Sequence, residues 1–296
     1  MGKLLLRTVT PQQVSWLRYS SALGAYLLAA SLLRFLPSLR SRVGQPFFRP
    51  RTRADWGWLI GIGFFTFFFS PLFQLTGLST STAIDNALIV AMEPLMTVFM
   101  AWLFLRERLT AVHALAFTVA VTGFSLLTGL TPGRVVGLWD AHLLGNVLMV
   151  ASLAGEAVYS VFARKLMKRH EPMAVFGNSL VAGLLLLTGL TCLRGGLPSY
   201  AQLDGKAIFG LLFLGPLGTT VTYLFWMIAL SRASIPSMAL TLFIQPLAGT
   251  LWGYLFLGET LTLRQALGGL LIVGAVLVPT LASLRGRPVS DAPRSR

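Results

Sequence analysis

Two acids stand in the middle of apolar runs, and they are the residues of this sequence best placed to do chemistry. Glu93 is central in the run Ala83–Leu105, and Glu156 lies a few residues past the middle of Leu143–Phe162. An ionised acid at the centre of a bilayer costs about 2.5–3.5 kcal/mol on insertion scales, so its retention calls for a partner or a use. The chemistry open to it is binding of a cationic group or exchange of a proton. Glu93 precedes Pro94, which removes one backbone hydrogen bond, bends the helix and frees a carbonyl one turn back. Glu93 then reads either as a cavity-lining acid or as a neutral, hydrogen-bonded group that holds the kink.

Glu156 belongs to a polar stripe, since Ser152, Glu156, Tyr159, Ser160 and Ala163 share a helical face at spacings of three and four. Such a face lines a cavity or binds one helix to another by hydrogen bonds. A second stripe, Thr66, Ser70, Gln74 and Gly77, runs beside Pro71, and a third, Thr219, Thr222, Tyr223 and Trp226, runs beside Pro216. Gln245 continues a face that carries Ser237 and Thr241. Taken as groups, these predict a polar and aromatic substrate pocket lined by Glu93, Gln245, Glu156, Tyr159, Ser70, Gln74, Tyr223 and Trp226. Arg18 enters its span by only four residues. It either snorkels to the interface or pairs with a substrate carboxylate or another acid. Asp85, at the outer end of its span, is expected to reach water.

Other chemistries find little support. The ten acids are scattered, and His113, His142 and His170 lie near span ends without ligand spacing, so neither a catalytic group nor a metal site is expected. The single cysteine, Cys192, allows no disulfide within one chain. No GxxxxGK[ST] loop is present, so direct ATP drive is not supported, and no cofactor is implied.

The elements that hold these residues follow from composition. With 55% hydrophobic and 11% charged residues and a mean hydropathy of +0.73, the chain lacks the polarity to coat a soluble surface. About 20 apolar residues cross a bilayer as a helix, and nine such runs occur: Val14–Leu36, Trp56–Leu78, Ala83–Leu105, Ala111–Leu130, Leu143–Phe162, Met173–Leu193, Ala207–Leu230, Ile235–Leu257 and Leu263–Leu284. The fold class is therefore all-α and polytopic. Alternating the loops places 17 of the 24 Lys and Arg on the face that receives the C-terminus and 7 on the other, so the C-terminus is expected in the cytoplasm of an inner-membrane protein. The +14 net charge meets anionic lipid heads on that face rather than nucleic acid.

The chain also repeats itself. AIDNALIVAMEPLMTVFMAWLFLRERLT from Ala83 aligns without gaps on IPSMALTLFIQPLAGTLWGYLFLGETLT from Ile235, placing Glu93-Pro94 on Gln245-Pro246. Residues 1–130 and 139–284 form the two repeats, followed by a disordered basic cytoplasmic tail over 285–296. Lys3–Pro11 resembles Lys165–Pro172, which equates the start of the chain with the end of the fifth run and predicts one helix fewer in the first repeat. On that reading the first helix is truncated and the true start lies about one span, some 20–30 residues, upstream. Complete halves would have five helices each, inserted in opposite senses, so these residues hold nine helices of a ten-helix, 5+5 inverted-repeat bundle. Gly249 and Gly253 form a GxxxG element that packs helices within the chain, dimerisation being the other use.

Pro11 with Leu17-Arg18-Tyr19, Gly77, Glu93-Pro94 and LFLRERLT, repeated as Gln245-Pro246 and LFLGETLT, resembles the EamA family of the drug/metabolite transporter superfamily over Lys3–Leu284. The resemblance implies ten helices around a central cavity and export or exchange of small metabolites, often amino acids or related compounds. The expected function is a monomeric secondary transporter moving a small metabolite by alternating access, with membrane lipids around it and a proton as a candidate coupling ion. The competing readings are a polytopic membrane enzyme acting on lipid or prenyl substrates and a non-transporting membrane subunit.

Overall fold

The computed structural model describes residues 2–6, 8–32, 35, 45–48, 50, 52–106, 108–130, 140–232 and 244–285, and every regular element among them is helical. After a short turn at Gly2–Leu5 comes α1, Pro11–Leu32. Helix α2 covers Arg53–Thr80 as an α-helix broken by a π-helical stretch at Phe65–Phe69. Then follow α3, Ala83–Val90, and α4, Glu93–Leu105. Next are α5, Ala111–Thr128, α6, Ala141–Leu166, and α7, Pro172–Leu193. Helix α8 joins Gly205–Leu212, a π stretch at Phe213–Val221, and Thr222–Arg232. The last two are α9, Ile244–Leu257, and α10, Leu263–Arg285.

Among the described residues, six helices are long and apolar enough to cross a membrane, and the bent pair α3–α4 makes seven. The nine expected spans are thus not all recovered among the described residues. Helix α1 has a full 22 residues, but Gln12, Gln13 and Arg18 dilute its apolarity, and only 14 residues of the run ending at Leu257 are described. The Ser237–Thr241 face falls outside the described residues. The surface is apolar where lipid would lie: Leu115, Leu185, Phe225 and Leu247 are 65–75% exposed.

The prolines act in two ways. Before Pro94 the helix breaks, and α3 and α4 meet at 50°. Near Pro71 and Pro216 the helices continue, because the missing N–H is absorbed by a stretch with longer i→i+5 spacing. The hydroxyls of Thr219 and Thr222 follow that spacing, donating to the carbonyls of Leu214 and Leu217. The two π stretches overlap when the chain is shifted by the 152 residues of the sequence repeat.

Packing relates the same segments. Gly253 approaches Ile84 while Gly249 approaches Ala87, so α9, which the repeat aligns with α4, runs antiparallel to α3. Gly123 meets Leu271 and Gly268 meets Leu127, which makes α5 and α10 antiparallel as well. Trp16 bonds Thr188 while Tyr26 bonds the Met173 carbonyl, so α1 and α7 are also antiparallel. Gly63 on α2 lies against Ser179 and Ala182 of α7, and Gly215 on α8 lies against Arg18 and Ser21 of α1. A side chain at either glycine would drive the helices apart. The buried aromatic cluster of Tyr19, Tyr26, Phe67, Tyr159 and Phe176 occupies the space where α1, α2, α6 and α7 meet.

Candidate functional site

Helix α6 presents Glu156 from its middle, and the residue before it sets how closely α2 approaches. A Cβ on Gly155 would stand 2.6 Å from the Ser70 Cβ, so only glycine permits the contact. Thr66 fixes the register by donating its hydroxyl to the Gly155 carbonyl at 2.9 Å. Ser70, one turn on, then donates to Glu156 Oε1 at 3.0 Å. From α8, just beyond its π stretch, the Tyr223 hydroxyl donates to Glu156 Oε2 at 2.6 Å. Both carboxylate oxygens are thus held from different helices, and Glu156 remains half-buried.

A cation faces this acid. Arg18 Nε donates to Thr219 Oγ1 at 2.9 Å, and its guanidinium lies 5.2 Å from the Tyr19 ring centroid. Arg18 is therefore turned into the bundle rather than out to an interface, and its charge interacts with that of Glu156. Glu93 is half-buried at the first turn of α4. Around them stands an aromatic wall. Tyr19 meets Phe67 at 5.4 Å, Phe67 meets Tyr223 at 5.4 Å, and Tyr159 meets Tyr223 at 4.9 Å, the first and last edge to face. The Tyr159 hydroxyl is buried with no hydrogen-bond partner among the described residues. Trp226 closes one end by donating to Ser160 Oγ at 3.3 Å.

Six of the nine candidates therefore meet: Glu156, Ser70, Tyr223, Tyr159, Trp226 and Arg18. Glu93 is half-buried at the first turn of α4, and Gln74 is half-buried one turn beyond Ser70. Gln245 is exposed and is not brought to the cluster. Continuing the α3–α9 register places it level with Val90 and Ala91, where the first-half chain bends away. Asp85 also departs from expectation. It is fully buried, taking hydrogen bonds from Asn146 and Gln265, because the starts of α6 and α10 close over the beginning of α3. The walls Tyr19, Phe67 and Phe176 were not among the candidates; apolar rings in an apolar chain carry no distinguishing sequence signal.

Chemically, the Glu156 carboxylate keeps acceptor capacity beyond its two hydroxyl donors, and Arg18 keeps N–H groups beyond the one given to Thr219. Tyrosine faces nearby favour an organic cation.

The profile of the EamA-like transporter family matches residues 1–129 and 143–281. The chain belongs to the EamA-like transporter family. A transporter of Archaeoglobus fulgidus is 26% identical over 65% of this chain and 66% of its own length. A probable terminal-alkyne amino-acid exporter of Streptantibioticus cattleyicolor is 23% identical over 71% of this chain and 68% of its own. The protein PecM of Dickeya dadantii is 27% identical over 88% and 85%. The first two matches thus span about two thirds of each relative. A crystal structure shares the fold with a TM-score of 0.62 and 21% identity, over 97% of this chain and 94% of that one. This EamA-family chain is a multi-pass membrane transporter of small molecules in a lipid environment.

Proposed function

We propose that this chain exports or exchanges a small amino acid, amine or related metabolite across the inner membrane, acting as a carrier rather than an enzyme. Residues 1–130 and 139–284 are two halves inserted in opposite senses, and 285–296 is a cytoplasmic tail. What supports the inversion is that two repeat-equivalent helix pairs packed along their length, α1–α7 and α5–α10, run antiparallel. Parallel insertion would place them parallel. Alternating access then rocks the halves about the Glu156 site.

The observation that carries the reading is a mid-span carboxylate held by Ser70 and Tyr223, beside an inward-turned arginine and tyrosine faces. In this site Glu156 takes the ammonium of the solute and Arg18 its carboxylate where one is present. Glu93, with no side-chain hydrogen bond among the described residues, is the group that exchanges a proton. Counterflow of labelled amino acids and amines in proteoliposomes tests this. Exchange of at least one solute, lost in Glu156→Gln, is expected. Product formation without flux, or exchange indifferent to that substitution, would overturn it.

A further inference from the structure

At the end of the bundle where α6 begins, two carboxylates tie the halves together. Glu259 lies in the α9–α10 turn, where Gly258 at φ 66° reverses the chain. Its Oε1 receives Lys3 Nζ at 2.8 Å and the Ala83 N–H at 3.0 Å, and its Oε2 receives the Ile84 N–H at 3.0 Å. An acid from the second half thus caps the first turn of α3 in the first half, where free N–H groups favour negative charge. Lys3 also donates to the Ser81 carbonyl at 2.9 Å, fastening the N-terminal turn to the same corner.

One turn deeper, Asp85 makes a second set of ties. It accepts from Gln265 on α10 at 2.7 Å and from Asn146 on α6 at 3.1 Å. Its Oδ2 lies 2.9 Å from His142 Nε2, and Ser81, itself hydrogen-bonded to Asn146, donates to it at 3.3 Å. Below this layer, α6 carries Met149 and Leu153, 1% and 2% exposed, before it reaches Glu156. Both lie between the Asp85 layer and Glu156, which is itself half-buried. The other end differs: Lys165, the repeat counterpart of Lys3, lies over the Trp58 ring at 4.3 Å.

We infer that Glu259 and Asp85 form a latch that holds this face of the transporter shut, and that its release opens the route past Met149 to Glu156. The function of the route rests on the carrier reading above, but the opening can be measured without any flux. In a Cys192→Ser background, the reporters are Met149→Cys, beneath the latch, and Ala163→Cys, about 21 Å further along α6. Both positions are buried. Labelling by N-ethylmaleimide is followed with the latch intact and with Glu259→Gln or Asp85→Asn. Loss of a charge-assisted tie should raise the Met149→Cys rate about tenfold or more, while the Ala163→Cys rate does not rise. Unchanged labelling at Met149→Cys, or an equal rise at both positions as in general loosening, would overturn the latch.

Discussion

Replacing Gly155 with alanine should loosen the contact that positions the central acid. The added methyl would lie 2.6 Å from the Ser70 Cβ and 3.1 Å from the Phe65 carbonyl carbon, closer still to the Phe65 carbonyl oxygen. Two of these atoms are backbone, so no rotamer change relieves the clash, and α2 must shift. Overpacking of this kind costs about 1–3 kcal/mol, against which alanine returns about 1 kcal/mol of helix propensity. A net loss of about 1–2 kcal/mol follows, near the upper part of the overpacking range because the obstacle is rigid. Gly189 is the control: it sits in α7 with nothing within 4 Å of where an added methyl would stand, so Gly189→Ala should stabilise by about 0.5–1 kcal/mol. Denaturation of the two variants side by side in one detergent gives the comparison. Gly155→Ala at least as stable as the parent would refute the close α2–α6 approach, and with it the Ser70–Glu156 bond.

Tyr223→Phe removes the 2.6 Å hydrogen bond to Glu156. A bond to a charged group contributes about 1.5–3 kcal/mol, so solute affinity should change by at least tenfold, as read by counterflow half-saturation, with the fold retained. Thr66→Val should cost about 1 kcal/mol in denaturation, through the lost bond to the Gly155 carbonyl. Glu259 predicts a pH effect. Burial alone would raise its carboxyl, but hydrogen bonds from Lys3, Ala83 and Ile84 and the charge of Lys3 outweigh this and hold it below its ordinary 4.5. Its stabilising contribution is therefore complete above that ordinary value and is lost as pH falls through the lowered one. Stability of the parent should decline in that acid window, with a shallower decline in Glu259→Gln.

Much of the fold was legible because hydrocarbon imposes length and apolarity on every span, and the 152-residue offset of the repeat places α5 on α10, its antiparallel neighbour. The Glu156 group was legible for a related reason: polar residues at helical spacing stand out against apolar surroundings, so Ser70, Glu156 and Tyr223 announced themselves. What stayed hidden depended on angles between helices. The 50° bend at Pro94 leaves Gln245 outside the cluster, although its spacing matches that of Glu93. Asp85 looked like an interfacial acid because nothing in its own helix shows that Asn146, His142 and Gln265 will close over it. Arg18 had two open readings near a span end, and the close approach at Gly215 settles its direction by bringing α8 and Thr219 beside it.

The most direct test of solute binding at Glu156 is exchange of a labelled panel of amino acids and amines in proteoliposomes carrying the parent, Glu156→Gln or Gly189→Ala. A solute exchanged by the parent should be exchanged equally by Gly189→Ala and at least tenfold more slowly by Glu156→Gln, in line with loss of one charged contact. Equal exchange by all three proteins would contradict it.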